Sequence, residues 1–191
     1  MKELRSEVIT LPFIDVDNAK IRAIYEDHNQ NLWIGCYHRG MVMVSKESTP
    51  FHFWSVPTRE YPQAGVITAL YKDDDGHIVS GVEGEGVFKI TSEGNITDHL
   101  FSGKTVSSIY KDYSGNLWFG GYYSGLYMQD AKGNVRFMLP EIKLKDIKKI
   151  TGDDKGNLYL SLFGSGFIRY HLPTQTVTEY QSSSGGLRNN W

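Results

Sequence analysis

Cysteine is nearly missing from this chain of 191 residues, which has only Cys36. One cysteine excludes an internal disulfide framework and a metal cluster built on cysteine thiolates. The six histidines form no H-x-H or H-x-x-x-H pair, so no histidine-based metal site and no cofactor are predicted. A lone cysteine in an apolar strand is typical of a small buried side chain rather than a reactive thiol.

An excess of charge is also missing, since 20 lysine and arginine residues face 22 aspartate and glutamate residues. Without a basic stripe to contact phosphates, the sequence predicts no nucleic-acid partner. No apolar run approaches the roughly 20 residues that cross a bilayer, so no membrane segment is predicted in this chain. The first 20 residues lack the charged and then apolar pattern of a signal peptide.

A helical period of 3.6 residues is hard to find. Even residues 141–147, the best candidate for a helix, alternate at least as well with a period of two. Glycine is abundant instead, at 20 residues, together with 12 tyrosines, nine phenylalanines and four tryptophans. Many short strands joined by tight turns have this composition. The sequence therefore predicts an all-β fold.

One short segment recurs four times, and we number its occurrences as copies 1 to 4. The segments are DHNQNLWIGC at 27–36, DDDGHIVSGV at 73–82, DYSGNLWFGG at 112–121 and DDKGNLYLSL at 153–162. Their first residues, which we name the turn aspartates, are spaced by 46, 39 and 41 residues. A glycine follows each turn aspartate by thirteen positions, at Gly40, Gly86, Gly125 and Gly166. A repeat of about 40 residues with four strand-like runs is typical of a β-propeller, in which each copy forms one four-stranded blade.

The hairpin of copy 3 shows how a blade is predicted to form. Its strands are predicted at residues 106–111, 116–121, 125–129 and 135–139. The Asp-x-x-Gly-Asn turn joins the first two, because glycine and asparagine tolerate positive φ and aspartate accepts hydrogen bonds from turn amides. Second strands are apolar on both faces, as expected for a blade between two neighbours. First strands carry small residues and fourth strands polar ones, which predicts that the first lie innermost and the fourth outermost.

We predict a single partial propeller over residues 1–191, with about four four-stranded blades near residues 21–64, 65–104, 105–145 and 146–181. Residues 8–13 are predicted as the outer strand of a preceding blade, and residues 185–191 as the lead-in to a following one. An open row of blades exposes an apolar face at each end, which soluble monomers avoid. We therefore expect self-association as a homodimer, with a closed monomer as the alternative.

Binding is favoured over catalysis, because the sequence shows no nucleophile elbow and no glycine-rich loop between strand and helix. The acidic run at 73–75 begins like a calcium loop, but the glutamate that an EF-hand needs at position twelve is replaced by Gly84. No catalytic residue and no metal ligand are predicted.

The candidate ligand-binding residues lie in the loops between second and third strands, which gather on one face of a propeller. Aromatic rings there would pack against the C–H faces of a sugar, while charged side chains bind its hydroxyl groups. Alternatively, the rings only cap the hydrophobic core. The candidates are Tyr37, His38, Arg39, Glu83, Glu85, Tyr122, Tyr123 and Phe163.

The string I-x-x-I-x-x-D-x-x-G-N-L-W-F-G-x-x-x-x-G-L resembles the two-component regulator propeller repeat. Residues 106–126 match it nearly position by position, and the resemblance extends over roughly residues 21–191. The departures are Asn29, Gln30 and Met41 in copy 1, His77 and Val79 in copy 2, and Tyr159 and Ser161 in copy 4.

This resemblance implies part of the periplasmic sensor region of a hybrid histidine kinase of Bacteroides-type gut bacteria, whose parent protein is anchored in the inner membrane. It implies a glycan-derived ligand such as an oligosaccharide, a signal relayed to kinase domains outside this chain, and no catalysis by the chain itself. Two alternatives stay open. One is a streptogramin-lyase-like propeller enzyme, which needs a metal and a catalytic histidine, and the other is a propeller scaffold for protein interactions.

Overall fold

The computed structural model describes residues 19–38, 40–45, 52–54, 56, 65–142 and 145–181. The strand expected at 8–13, the lead-in expected at 185–191 and the candidate residue Arg39 lie outside these ranges. Apart from one 3-10 turn at Pro140–Ile142, the regular structure in the described residues is entirely β-strand. None of these residues forms a helix with the length and apolar character that a membrane span requires.

The strands form four antiparallel sheets, each of four strands hydrogen-bonded in chain order. Sheet 1 contains β1 Ile21–Glu26, β2 Leu32–Cys36, β3 Gly40–Val44 and β4 His52–Trp54. Sheet 2 contains β5 Ile67–Lys72, β6 Ile78–Val82, β7 Gly86–Ile90 and β8 Ile96–Leu100. Sheet 3 contains β9 Thr105–Lys111, β10 Leu117–Tyr122, β11 Gly125–Gln129 and β12 Val135–Met138. Sheet 4 contains β13 Ile147–Gly152, β14 Asn157–Leu162, β15 Gly166–His171 and β16 Thr176–Tyr180.

The all-β prediction is confirmed, and the strands predicted for copy 3 agree with sheet 3 within one residue at each end. The second strands β6 and β10 are buried on both faces: all five residues of β6 are buried, as are Trp118 to Gly121 in β10. The second strand of sheet 4 differs, because β14 alternates and Ser161 is exposed. Fourth strands are exposed along most of their length, as in β8 and β12. Burial of the second strand on both sides, as predicted, thus holds for sheets 2 and 3 but not for sheet 4.

The chain divides into two compact units, residues 1–67 and 68–191. Within the second unit, the first strand of each sheet is hydrogen-bonded to the first strand of the next. Thr68 Oγ1 donates to the carbonyl of Val106, and Ser107 Oγ donates to the carbonyl of Ile147. The small residues predicted on first strands thus allow these strands to approach each other.

Glycine eight positions after the turn aspartate sets the distance between sheets 3 and 4. A Cβ atom on Gly120 would lie 2.7 Å from Ile147 Cγ2 and 2.9 Å from Ile150 Cδ1. Since real Cβ atoms do not approach so closely, the isoleucines of β13 pack directly on the backbone of β10. The same position in the first unit is Gly35, where a Cβ would lie 2.9 Å from Ile67 Cγ2.

Two apolar clusters of the second unit follow from this packing. The larger one lies between sheets 3 and 4 and contains Trp118, Leu126, Ile142, Ile147, Ile150, Leu158, Leu160, Leu162, Ile168 and Tyr170. The other lies between sheets 2 and 3 and contains Ala69, Val79, Val87, Val106, Ile109 and Phe119.

The first unit differs at its first strand. Ile24 is 60% exposed, whereas Ile150, which holds the same position in copy 4, is 1% exposed. Ile21 is exposed too, although its counterpart Ile147 is fully buried. Cys36 of the same unit is buried at 1% exposure, in agreement with the prediction of a packed side chain.

Candidate functional site

The turn aspartate of copy 3 has its carboxylate fully occupied by the hairpin. Its Oδ1 accepts the backbone N–H groups of Ser114 and Asn116, both at 2.9 Å. Its Oδ2 accepts Asn116 Nδ2 at 3.0 Å and the indole Nε1 of Trp118 at 2.8 Å. Four donors to one carboxylate explain why Asp112 is buried at 8% exposure. This aspartate therefore has a structural role in the turn.

Copy 1 repeats this network around Asp27, including the bond from Trp33 Nε1 to Oδ2 at 3.1 Å. Copy 4 replaces the indole by a phenol, and Tyr159 Oη donates to Asp153 Oδ2 at 2.9 Å. The backbone N–H of Asn157, aided by its side chain and by Tyr159, lowers the pKa of Asp153 to about 2. In copies 1, 3 and 4, the carboxylate of the turn aspartate thus accepts hydrogen bonds from neutral donors.

Copy 2 holds its turn aspartate differently, because Val79 has no donor at the tryptophan position. Lys89 Nζ lies 2.7 Å from Asp73 Oδ2, and it reaches this atom from β7, where Lys89 is the register partner of Val79. Burial raises the pKa of Asp73, but the Lys89 ammonium and the His77 amide outweigh this effect and hold the pKa below its ordinary value. The carboxylate is therefore ionised and paired with a cation.

The same turn contains a group of possible metal ligands. Asp73, Asp75 and His77 offer ligand atoms within 4.8 Å of one another. However, the Lys89 ammonium already lies beside Asp73, and it is 4.0 Å from Asp75 Oδ2. A divalent cation would have to displace it, so the geometry is that of an ion-paired turn rather than a metal centre.

The structure brings two of the predicted aromatic residues together around a lysine that the sequence did not identify. Lys148 Nζ lies 5.3 Å from the ring centroid of Tyr122 and 4.8 Å from that of Phe163. Tyr123 packs edge-on against Tyr122 with ring centroids 4.7 Å apart. All three aromatic side chains are exposed. We name Tyr122, Tyr123, Lys148 and Phe163 the Lys148 cluster.

A buried carboxylate fixes the loops that carry this cluster. Asp146 Oδ1 accepts the backbone N–H of Tyr123, and the Asp146 carbonyl accepts that of Phe163, both at 2.9 Å. The negative charge of Asp146 also raises the pKa of Tyr122 above its ordinary value. The exposed rings are thus held on a fixed backbone.

The first unit shows the same pairing of cation and ring. Arg22 Cζ lies 4.9 Å from the ring centroid of Tyr37, which packs edge-on against His38 with centroids 4.0 Å apart. Arg22 and Lys148 each lie five positions before a turn aspartate, and Tyr37 and Phe163 each lie ten positions after one. This repeated spacing is a sequence signal from which Lys148 could have been found.

Glu83 and Glu85 lie in the loop between β6 and β7, which is tied to other elements. Gly84 N donates to Thr105 Oγ1 at 2.9 Å, and the Glu85 carbonyl lies 2.6 Å from His99 Nε2. A ligand-binding role for these glutamates, as for the six other candidates, stays a prediction.

The family model of the two-component regulator propeller matches residues 15–38 and 100–123. These segments precede and include the hairpins of copies 1 and 3, the two copies that retain tryptophan. The resemblance drawn from the sequence is thereby confirmed. No curated protein matches the chain significantly.

Solved structures with a similar fold include extracellular domains of two hybrid two-component systems of B. thetaiotaomicron. The domain of BT3049 is 21% identical, with a TM-score of 0.73 over 87% of this chain and 24% of that one. The domain of BT4673 is 18% identical, with a TM-score of 0.70 over 85% of this chain and 24% of that one. The chain therefore spans about a quarter of these domains. Its four sheets are confirmed as part of a propeller.

Virginiamycin B lyase from Staphylococcus aureus has a similar fold as well. It is 15% identical, with a TM-score of 0.70 over 88% of this chain and 57% of the lyase. At this identity the likeness concerns the fold, which hosts unrelated functions.

Proposed function

We propose that this chain, two of whose repeats match the two-component regulator propeller model, is part of the extracytoplasmic ligand-sensing propeller of a hybrid sensor kinase. The proposal is supported by the matched repeats and by the likeness to the two extracellular domains. In this proposal the parent protein is a histidine kinase anchored in the inner membrane. The chain itself binds in the periplasm and catalyses nothing.

A glycan-derived ligand is the second part of the proposal, and the Lys148 cluster is the surface that we assign to it. The observation that carries this part is the pair of exposed rings, Tyr122 and Phe163, that both lie close to one ammonium group. Aromatic faces accept the C–H groups of a sugar ring, while the ammonium donates to its hydroxyl oxygens. Since Asp146 fixes the backbone of both loops, little ordering is needed on binding.

Calorimetric titration with a panel of oligosaccharides tests this assignment. We expect one member to release heat, and the double variant Tyr122→Ala, Phe163→Ala to lose that heat. Tyr113→Ala is the matched control, because Tyr113 is also exposed but lies at the turn of the β9–β10 hairpin. Unchanged binding by the double variant would contradict the assigned surface. An absence of heat with every glycan at millimolar concentration would favour a protein-interaction scaffold.

A lyase activity is the other function that the fold likeness raises. Incubation of the purified chain with a streptogramin and a divalent metal, followed by mass spectrometry, separates the two. We expect the streptogramin to stay intact, and cleavage would overturn the sensor proposal.

We also propose that the isolated chain self-associates as a homodimer through the exposed apolar face of β1. This proposal is supported by the exposure of the Ile24 side chain, which is 60%, whereas Ile150 at the same position of copy 4 is 1% exposed. We expect Ile24→Glu to yield a monomer in sedimentation velocity, whereas Ile96→Glu, at an exposed isoleucine of β8, leaves the dimer intact. A monomeric wild-type chain would contradict this proposal.

A further inference from the structure

A cleft opens in the second unit beside the turn of copy 2. Its volume is about 100 Å³, and its walls include Asp73, Val79, Lys89 and Asp98 of copy 2 together with Leu117, Phe119 and Gln129 of copy 3. The cleft is thus polar at one side, where Asp73 and Lys89 lie, and largely apolar at the other. It is separate from the Lys148 cluster, with which it shares no residue.

The position of the cleft corresponds to the place of a tryptophan side chain in copy 3. Trp118 holds the position of Val79, is 2% exposed, and packs between sheets 3 and 4. The residues that share its cluster correspond position by position to walls of the cleft. Leu126, Leu158, Leu160 and Tyr170 share the cluster of Trp118, and the corresponding residues at the cleft are Val87 of copy 2 and Leu117, Phe119 and Gln129 of copy 3.

Two substitutions therefore leave space between sheets 2 and 3. Val79 is smaller than an indole, and Gln129 replaces Tyr170, whose ring packs edge-on against Trp118 at 6.2 Å. The apolar side chains of the cleft, Val79, Val87, Leu100, Leu117 and Phe119, do not gain from contact with water.

The Oδ2 atom of the turn aspartate in copy 2 also accepts one hydrogen-bond donor fewer than its counterpart in copy 3. Asp112 Oδ2 accepts two side-chain donors, from Asn116 and Trp118. Asp73 Oδ2 has Lys89 as its one close donor at 2.7 Å, since copy 2 has His77 in place of asparagine and Val79 in place of tryptophan. A carboxylate oxygen accepts two hydrogen bonds, so Asp73 retains acceptor capacity toward the cleft.

We propose that this cleft binds a small planar heteroaromatic molecule of the indole type. The ring lies between Val79 and Val87 of sheet 2 and the apolar wall formed by Leu117 and Phe119 of sheet 3, where Trp118 has Leu158 and Leu160. The ring N–H donates to Asp73 Oδ2, as the indole of Trp118 donates to Asp112. Neither the glycan nor the Lys148 cluster enters this inference, so it stands or falls independently of the proposed sensor function.

Titration with indole, followed by NMR chemical shifts and calorimetry, tests the proposal. We expect saturable binding of indole, and binding of 1-methylindole about tenfold weaker, because the methyl group removes the N–H that bonds to a charged acceptor. Equal affinity for the two compounds would overturn the assigned hydrogen bond. An absence of indole binding at millimolar concentration would overturn the site.

Variants locate the binding within the cleft. Val79→Trp supplies the side chain that copy 3 has, so we expect the protein to stay folded and indole binding to be lost. Gln129→Tyr restores the second ring and is expected to weaken binding several-fold, which provides a test should the first variant fail to fold. Tyr113→Ala is the control and keeps wild-type affinity. Wild-type affinity in both cleft variants would show that indole binds elsewhere and would overturn the proposal.

Discussion

Copies 2 and 3 of the repeat differ in the donor that reaches the turn aspartate. In copy 3 the donor is the indole of Trp118, which also fills the space between two sheets. In copy 2 it is the ammonium of Lys89, which pairs with Asp73 Oδ2 but leaves a cleft beside Val79. Trp118 thus supplies both a hydrogen bond to the turn aspartate and apolar packing between two sheets. Lys89 and Val79 together supply these only in part.

The electrostatic character of the two turns differs accordingly. Neutral donors hold Asp112, so its turn depends little on salt. An ion pair with partly exposed members holds Asp73, and such pairs are screened by salt and contribute little to stability. Variants that exchange the features of the two copies therefore test the comparison directly.

The largest effect is expected for Trp118→Val, which gives copy 3 the residue of copy 2. The substitution removes a side chain that is 98% buried in its cluster and leaves Asp112 without its indole donor. We expect a loss of about 3 kcal/mol or more in the free energy of unfolding, measured by urea denaturation. A loss below about 1 kcal/mol would show that the indole is not what holds sheets 3 and 4 together.

Val79→Trp is the reverse exchange and is expected to stabilise the protein. The indole fills the cleft and donates to Asp73 Oδ2, and filling a cavity commonly adds about 0.5–2 kcal/mol. The measurement is again urea denaturation, with Val42→Trp in β3 as a control, because Val42 is 2% exposed and packs in an apolar cluster. Destabilisation by both variants alike would mean that the cleft does not accommodate the ring.

Lys89→Met is expected to cost at most about 1 kcal/mol at neutral pH and low salt. Because the pKa of Asp73 lies below its ordinary value of 3.8 in the folded protein, the ion pair contributes above that pH. Its contribution is lost as the pH falls through the lowered pKa. The difference in stability between wild type and variant should therefore vanish at acid pH and shrink in 1 M salt. A difference independent of pH would contradict the ion pair.

The smallest effect is expected for Tyr159→Phe in copy 4, which removes one of the donors to Asp153. The pKa of Asp153 should rise from about 2 toward 3.8, while the backbone bond from Asn157 keeps it from reaching that value. An NMR titration of the carboxyl group measures the change, and Tyr113→Phe serves as control. An unchanged pKa would show that the phenol contributes nothing to the turn.

Much of sheet 3 was predictable because its signals are local. The turn requires Asp112, Gly115 and Asn116 at fixed spacing, and the strands follow from it within one residue. The same Asp-x-x-Gly-Asn signature at residues 130–134 was overlooked, although it forms an equivalent turn between β11 and β12. There Asp130 Oδ1 accepts the N–H groups of Lys132 and Asn134, both at 2.9 Å.

The partners of Asp73 and Tyr122 were not predicted, because they depend on contacts between strands and between sheets. Lys89 reaches Asp73 only through the register of β6 with β7. Lys148 reaches Tyr122 because sheets 3 and 4 are adjacent, which no single repeat encodes. The aromatic candidates Tyr122 and Phe163 were found from loop position alone, whereas the cation between them required the three-dimensional arrangement.

The close packing of isoleucine side chains on Gly120 and Gly35 bears on how a protein built of such repeats changes length in evolution. Each of these glycines receives an isoleucine from the first strand of the following sheet, Ile147 in one case and Ile67 in the other. The glycine and the isoleucine that packs on it are thus encoded within the same span of about forty residues. A tandem duplication of that span yields a new sheet that already fits both neighbours, so gene duplication can add whole modules without any new interface having to arise.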